Sequence, residues 1–157
     1  MVIARPRYAP RAVVLAVVVV AGLTGCSATN PMTTMDNYDP SDGSSLTLDQ
    51  VRAGNLMVLT SGEGEPGILL GYVANGGTAD VEVGFALEGA EPSSPVRVDA
   101  GRTALLGPDK EAVEVAAVPS APGTYVELTV TSDAGGSSTV QIPVMDDTHP
   151  EYADLVP

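Results

Sequence analysis

The sequence predicts an all-β protein, an immunoglobulin-like β-sandwich of seven to eight strands, and three observations carry that prediction. Apolar residues recur with period two from Leu46 to Val144. Clusters of Gly, Pro, Asn, Asp and Ser interrupt this alternation about every 8 to 12 residues, the turn spacing of a sandwich. No segment longer than a turn carries the 3.6-residue period of a helix. The strands fall within residues 46–145, which fit one domain.

Leu46 and Leu48 share one phase and Val51 and Ala53 the other, which predicts a bulge near Asp49 and Gln50 or a strand that changes sheets. Leu56 to Leu59 is a continuous apolar run, as in a strand covered on both faces. Ile68 to Ala74 is the next strand. It ends at Asn75-Gly76-Gly77, read as a turn because Asn and Gly adopt positive φ at little cost. Val81, Val83, Phe85 and Leu87 then alternate with polar or small residues, the pattern of a half-buried strand. Short strands follow at Val96 to Val98, Thr103 to Leu106 and Val113 to Val115. In Thr124 to Thr131, Val126, Leu128 and Val130 face inward and Tyr125 outward. Asp133 to Ser137 closes a hairpin onto a last strand with Val140, Ile142 and Val144 inside. Pro143 cannot donate to a ladder, so that strand is expected to end at an edge or beside solvent. Residues 146–157 read as a loose acidic tail.

Ahead of the sandwich lies an address. Arg5, Arg7 and Arg11 precede the apolar run Ala12 to Ala21, the layout of a secretory signal peptide. The run is shorter than the roughly 20 residues that a spanning helix needs. Its ending, Leu23-Thr24-Gly25-Cys26, resembles the bacterial lipobox. That resemblance implies cleavage after residue 25 and a diacylglyceryl group on the sulfur of Cys26, the single lipidation site. Residues 26–45 are mostly polar and carry no hydrophobic period, so they read as a flexible tether from the lipidated Cys26. Asp36, Asp39 and Asp42 lack the alternate-position spacing of a calcium loop and read as part of a turn into the domain. Cys26 is the single cysteine, so the domain is expected to hold together without a disulfide.

Removing residues 1–25 of 157 leaves 132, with Arg52, Arg97, Arg102 and Lys110 against 20 carboxylates, a formal charge of −16. Nucleic-acid binding is excluded on that balance, since it needs a cationic patch to displace counterions from phosphates. Gly62-Glu63-Gly64-Glu65-Pro66-Gly67 matches G-x-G-x-x-G in letters, but a strand rather than a helix follows, Pro66 has no amide and two glutamates would repel a phosphate. It reads as a hairpin loop. The one histidine, His149, lies in the tail, and no nucleophile, base and orienting group are gathered around it in sequence, so no catalytic residue is assigned and the chain is read as a non-enzyme. The soft donors suited to Cu(I) are Met32, Met35, Met57, Met145 and His149, with Asp146 and Asp147 beside the last two. They read as core (Met57), tether (Met32, Met35) and solvated tail (His149), so no metal ligand and no cofactor is assigned.

The order of these segments strengthens what each carries alone. The lipobox, Tyr38-Asp39-Pro40-Ser41-Asp42-Gly43, the strand from Val51 to Leu59 and the hairpin from Gly71 to Gly77 resemble actinobacterial lipoproteins of the LpqE type over most of the chain after residue 25. That group is similar in layout to the PCu(A)C periplasmic copper chaperones, which implies a Greek-key sandwich of the cupredoxin or immunoglobulin kind. The chaperones' ligand set, two His and two Met with an H-x-M near the later end, has no match here, where Glu151 stands two after His149. The resulting expectation is a lipoprotein anchored at the extracytoplasmic face of the cell membrane. It would act as a binding or assembly module for an envelope protein partner, with copper chaperoning as the alternative.

Overall fold

The computed structural model describes residues 41–157, which belong to one compact unit, Asp39–Pro157. The signal segment, Cys26, Met32, Met35 and most of the tether lie outside the described residues. Among the described residues, nine strands and no helix follow from the alternation: β1 (Ser44–Leu48), β2 (Val51–Thr60), β3 (Gly67–Asn75), β4 (Val81–Leu87), β5 (Val96–Val98), β6 (Thr103–Leu106), β7 (Val113–Val115), β8 (Tyr125–Ser132) and β9 (Gly136–Met145). The strand order is β5-β4-β8-β9-β2-β3-β6, with β1 on β2 and β7 on β3. One sheet gathers β1, β2, β3, β6 and β7, and the other gathers β5, β4, β8 and β9. All pairing within them is antiparallel. Val144 and Met145, at the end of β9, run parallel to Val58 and Leu59 of β2 and join the two sheets into the expected sandwich, closed far enough to resemble a barrel. Pro143 marks the changeover, opposite Tyr125 at the last rung of the β8–β9 ladder.

The phase change in the first strands has a different origin from the one expected. Asp49 and Gln50 form a two-residue turn between β1 and β2, with Leu48 opposite Val51 and Asp49 at φ 50°. The bulge lies further on, at Asn55, also at φ 50°, where the pairing of β2 slips against both β1 and β3. Before it, odd-numbered Val51 and Ala53 face the core; after it, even-numbered Leu56 and Val58 do. The extra residue keeps the core face continuous and turns Met57 and Leu59 to the opposite face. Two glycines make room for it. A Cβ on Gly54 would stand 2.5 Å from the Tyr72 ring, and one on Gly71, at φ 143°, would stand 2.8 Å from the Gly54 carbonyl oxygen.

Between the sheets lies the main core, in which Phe85, 3% exposed, belongs to one cluster with Leu56, Leu69, Leu128 and Ile142. Tyr125 points outward as expected, 65% exposed. The Asn75-Gly76-Gly77 turn forms, but positive φ is not its cause, because none of its three residues adopts it. The Asn75 side chain builds it instead: Oδ1 accepts from the Gly77 amide (2.9 Å), while Nδ2 donates to the carbonyls of Ala79 (2.7 Å) and Val98 (3.1 Å). One buried amide thus ties the end of β3 to the end of β5 in the other sheet.

Residues 146–157, expected to be loose, are packed. Two successive turns, Tyr152 N–H to His149 O and Leu155 N–H to Tyr152 O (both 2.9 Å), set Tyr152, Leu155 and Val156 against Met57, Leu59 and Ile68 on the outer face of the first sheet. The spacing i, i+3, i+4 puts those three side chains on one side of the turns. Here is the second cover for the apolar run in β2. Tyr152 Oη also donates to Asp42 Oδ2 (2.9 Å), fastening the tail to the segment that enters β1.

Candidate binding groove

Of the residues named as soft metal donors, Met57, Met145 and His149 lie among the described residues. Met57 is 2% exposed and buried beside Leu59 and Ile68, where its thioether fills core. Met145 is half-buried against the same cluster, and His149 is exposed with its ring edge-on to Tyr152, centroids 6.2 Å apart. Among the described residues no group of three or more His, Cys, Asp or Glu is placed to hold a metal ion. Asp146 closes its own turn, accepting from the Thr148 amide at 3.0 Å. Hydrogen bonds from Thr148, side chain first and then backbone, hold its carboxyl below the usual range.

The glycine-rich segment 62–67 spans the β2–β3 loop and the first residue of β3. Two of its amides are already used within the fold, Gly64 N–H donating to Val118 O (2.8 Å) and Glu65 N–H to Gly62 O (3.2 Å), and Val118 N–H donates to Glu65 O (2.9 Å). Thr60 Oγ1 donates to Pro66 O at 2.9 Å, closing the loop from below. A phosphate would have to break these bonds and approach two carboxylates.

What the fold does create is an open groove of about 760 Å³ across β7. Its floor is β7 and the start of β3, which pair as Gly67 with Val115, Ile68 with Glu114 and Leu69 with Val113. One wall is the tail from Asp154 onward. The other is Pro92 to Ser94 of the β4–β5 connection, held to β4 by the Ser93 amide on Phe85 O (2.9 Å). Pro66, Pro92 and Pro108, one from each of three connections, supply rigid apolar surface without backbone donors. Along β7, Val113 and Val115 point into the core and Glu114 points out.

The charge of the groove is negative. Glu114 and Asp154 are its ionisable liners, both exposed. Arg97, one of the four basic residues after Cys26, is committed elsewhere, to Asp80 at 2.6 Å and Asp99 at 3.7 Å. Asp80 in turn accepts from the Ala100 amide at 3.0 Å, and this bond, followed by Arg97, lowers its carboxyl pKa. The sequence named none of the groove residues as functional. Their signal was present only as a proline in each of three connections, which reads equally well as turn chemistry.

No protein-family model matches the chain, and no curated protein matches it. Solved structures do. The apo PCuAC domain from PmoF1 superposes with a TM-score of 0.57 at 11% identity, over 65% of this chain and 98% of that one. The fold is that of a PCuAC domain. The copper-bound PCuAC domain from PmoF2 is also similar, with a TM-score of 0.52 at 14% identity, over 65% of this chain and 97% of that one. The Greek-key sandwich implied by the sequence is thus the one found. At these identities the PCuAC likeness extends to architecture, and the residues that would act must be read from this chain.

Proposed function

We propose that the chain is a lipid-anchored, non-enzymatic binding module of the cell envelope, of the LpqE lipoprotein type, which uses a PCuAC-type sandwich as a docking platform. The observation that carries this reading is the groove across β7, open, walled by three separate connections and the tail, and lined by two carboxylates. Cys26 supplies the attachment to the outer face of the membrane, and the polar tether lets the sandwich reach a partner. A photo-crosslinking residue at position 112 in the groove tests this in cells, with position 127 on β8 as the control. The reading expects one discrete adduct from position 112 in the membrane fraction, none from 127, and movement of the chain to the soluble fraction with Cys26→Ala. Equal labelling from both positions, or a Cys26→Ala chain that stays in the membrane, contradicts it.

Copper delivery is the second reading. It is favoured by the shared fold and by one local feature: Met145 packs in the cluster that Tyr152 covers, and the Tyr152 ring meets His149. On that reading the chain takes one Cu(I) through the Met145 thioether and the His149 imidazole. Two donors, one of them half-buried in an apolar cluster, make this the weaker alternative.

A further inference from the structure

We infer that the occupant of the groove is a basic, extended polypeptide segment laid along β7, an inference that rests on the groove being the binding site proposed above. The backbone comes first. β7 is a three-residue edge strand that pairs with β3 on one side and, among the described residues, with no strand on the other. A free edge of this kind is completed by any chain in an extended conformation, through main-chain hydrogen bonds that do not depend on sequence. Side chains then select which one. A strand added beside β7 brings alternate residues over Glu114 and toward Asp154, and the groove presents no cation to oppose them. Acidic or phosphorylated segments meet like charge, whereas Lys and Arg meet a carboxylate at the head and proline and valine surface along the stem.

The same charges argue against the commonest competitor for a free edge, a second copy of this chain. Antiparallel self-pairing centred on β7 sets one Glu114 against another, and the partner surface carries a formal charge of −16 after residue 25. Glu114 therefore blunts the edge toward self-association and leaves it open to a cationic strand. The overall field also draws such a strand in.

The test is an amide-resolved NMR titration of the full chain in zwitterionic detergent with three capped hexapeptides: alternating Val-Lys, Val-Thr and Val-Glu. The inference expects the Val-Lys peptide to shift the amides of residues 67–68, 112–116 and 154–156. With Glu114→Gln and Asp154→Asn together it expects roughly ten-fold weaker binding, the loss of two partly exposed ion pairs. Both side chains are exposed, so the variant keeps its fold, and an unchanged spectrum of the remaining amides checks that. Equal binding of Val-Lys to the chain and to the variant overturns the inference, because the attraction is then diffuse. Val-Thr binding in the groove as tightly as Val-Lys overturns the charge selection while the groove itself stands. If no peptide moves groove amides, both the inference and the binding-module reading fall.

Discussion

Asn75 shows how much one side chain can carry. Its buried amide, 2% exposed, reaches three carbonyls and one N–H from two stretches of chain, 77–79 and 98–99, in the place where the two sheets must be kept in register. Asn75→Ala leaves the carbonyls of Ala79 and Val98 without that donor and is expected to cost about 2–3 kcal/mol, measured as a shift in the urea midpoint. Asn75→Asp keeps the acceptor for Gly77 but aims a carboxylate at two carbonyl oxygens, so at neutral pH it is expected to be worse than alanine. An Asp variant as stable as wild type would mean that the two carbonyl bonds contribute little. The turn at this residue was legible in the sequence, yet its cause was not: Asn-Gly-Gly suggests positive φ, and the residues instead use the Asn side chain as a staple. Sequence chemistry identifies residues that can turn. It does not say which of their two mechanisms operates.

At the scale of elements, β2 and the tail explain each other. The continuous apolar run in β2 called for cover on both faces, and the Asn55 bulge assigns Leu56 and Val58 to the main core and Met57 and Leu59 to the outside. The cover for the outside is the tail, whose three packed side chains, Tyr152, Leu155 and Val156, stand among acids, too sparse a pattern to read as packing. The legible half was that something must lie on that face; what lies there depends on a long-range contact with no local signature. Tyr152 gives the tail a pH dependence. Burial, then the bond to Asp42, pushes its phenol up to about 12 from an ordinary value of 10, so the folded state favours the neutral ring. The stability it contributes is full below pH 10 and is lost as pH rises from 10 to about 12. Tyr152→Phe is expected to lose roughly 1 kcal/mol at neutral pH with the bond to Asp42, and to show a smaller decline than wild type between pH 10 and 12. Parallel declines in the two proteins would show that Tyr152 is not the group responsible.

For the whole molecule, architecture was far more legible than use. Period-two alternation and turn spacing lead to the sandwich because they report which face of each strand is buried, and burial is what selects the fold. The groove was not legible. It is assembled from Pro66, Pro92, Glu114 and Asp154, four positions spread over 89 residues that share no local pattern and meet through β3 pairing with β7 and the docking of the tail. The same distinction applies to the fold this chain shares with a copper-bound PCuAC domain. A sandwich positions loops and edges, and the donors placed on them decide what is bound. Here the described donors are one buried thioether, one half-buried thioether and one exposed imidazole, and the open edge carries carboxylates instead.

The most direct measurement of that claim is native mass spectrometry of residues 39–157 after exposure to Cu(I) under reducing conditions, with a competing chelator present. A sandwich that binds through its groove and lacks a copper centre is predicted to appear at its bare mass. A discrete one-copper adduct that survives the chelator and disappears in the Met145→Ala, His149→Ala double variant would contradict the account and establish the chaperone reading in its place.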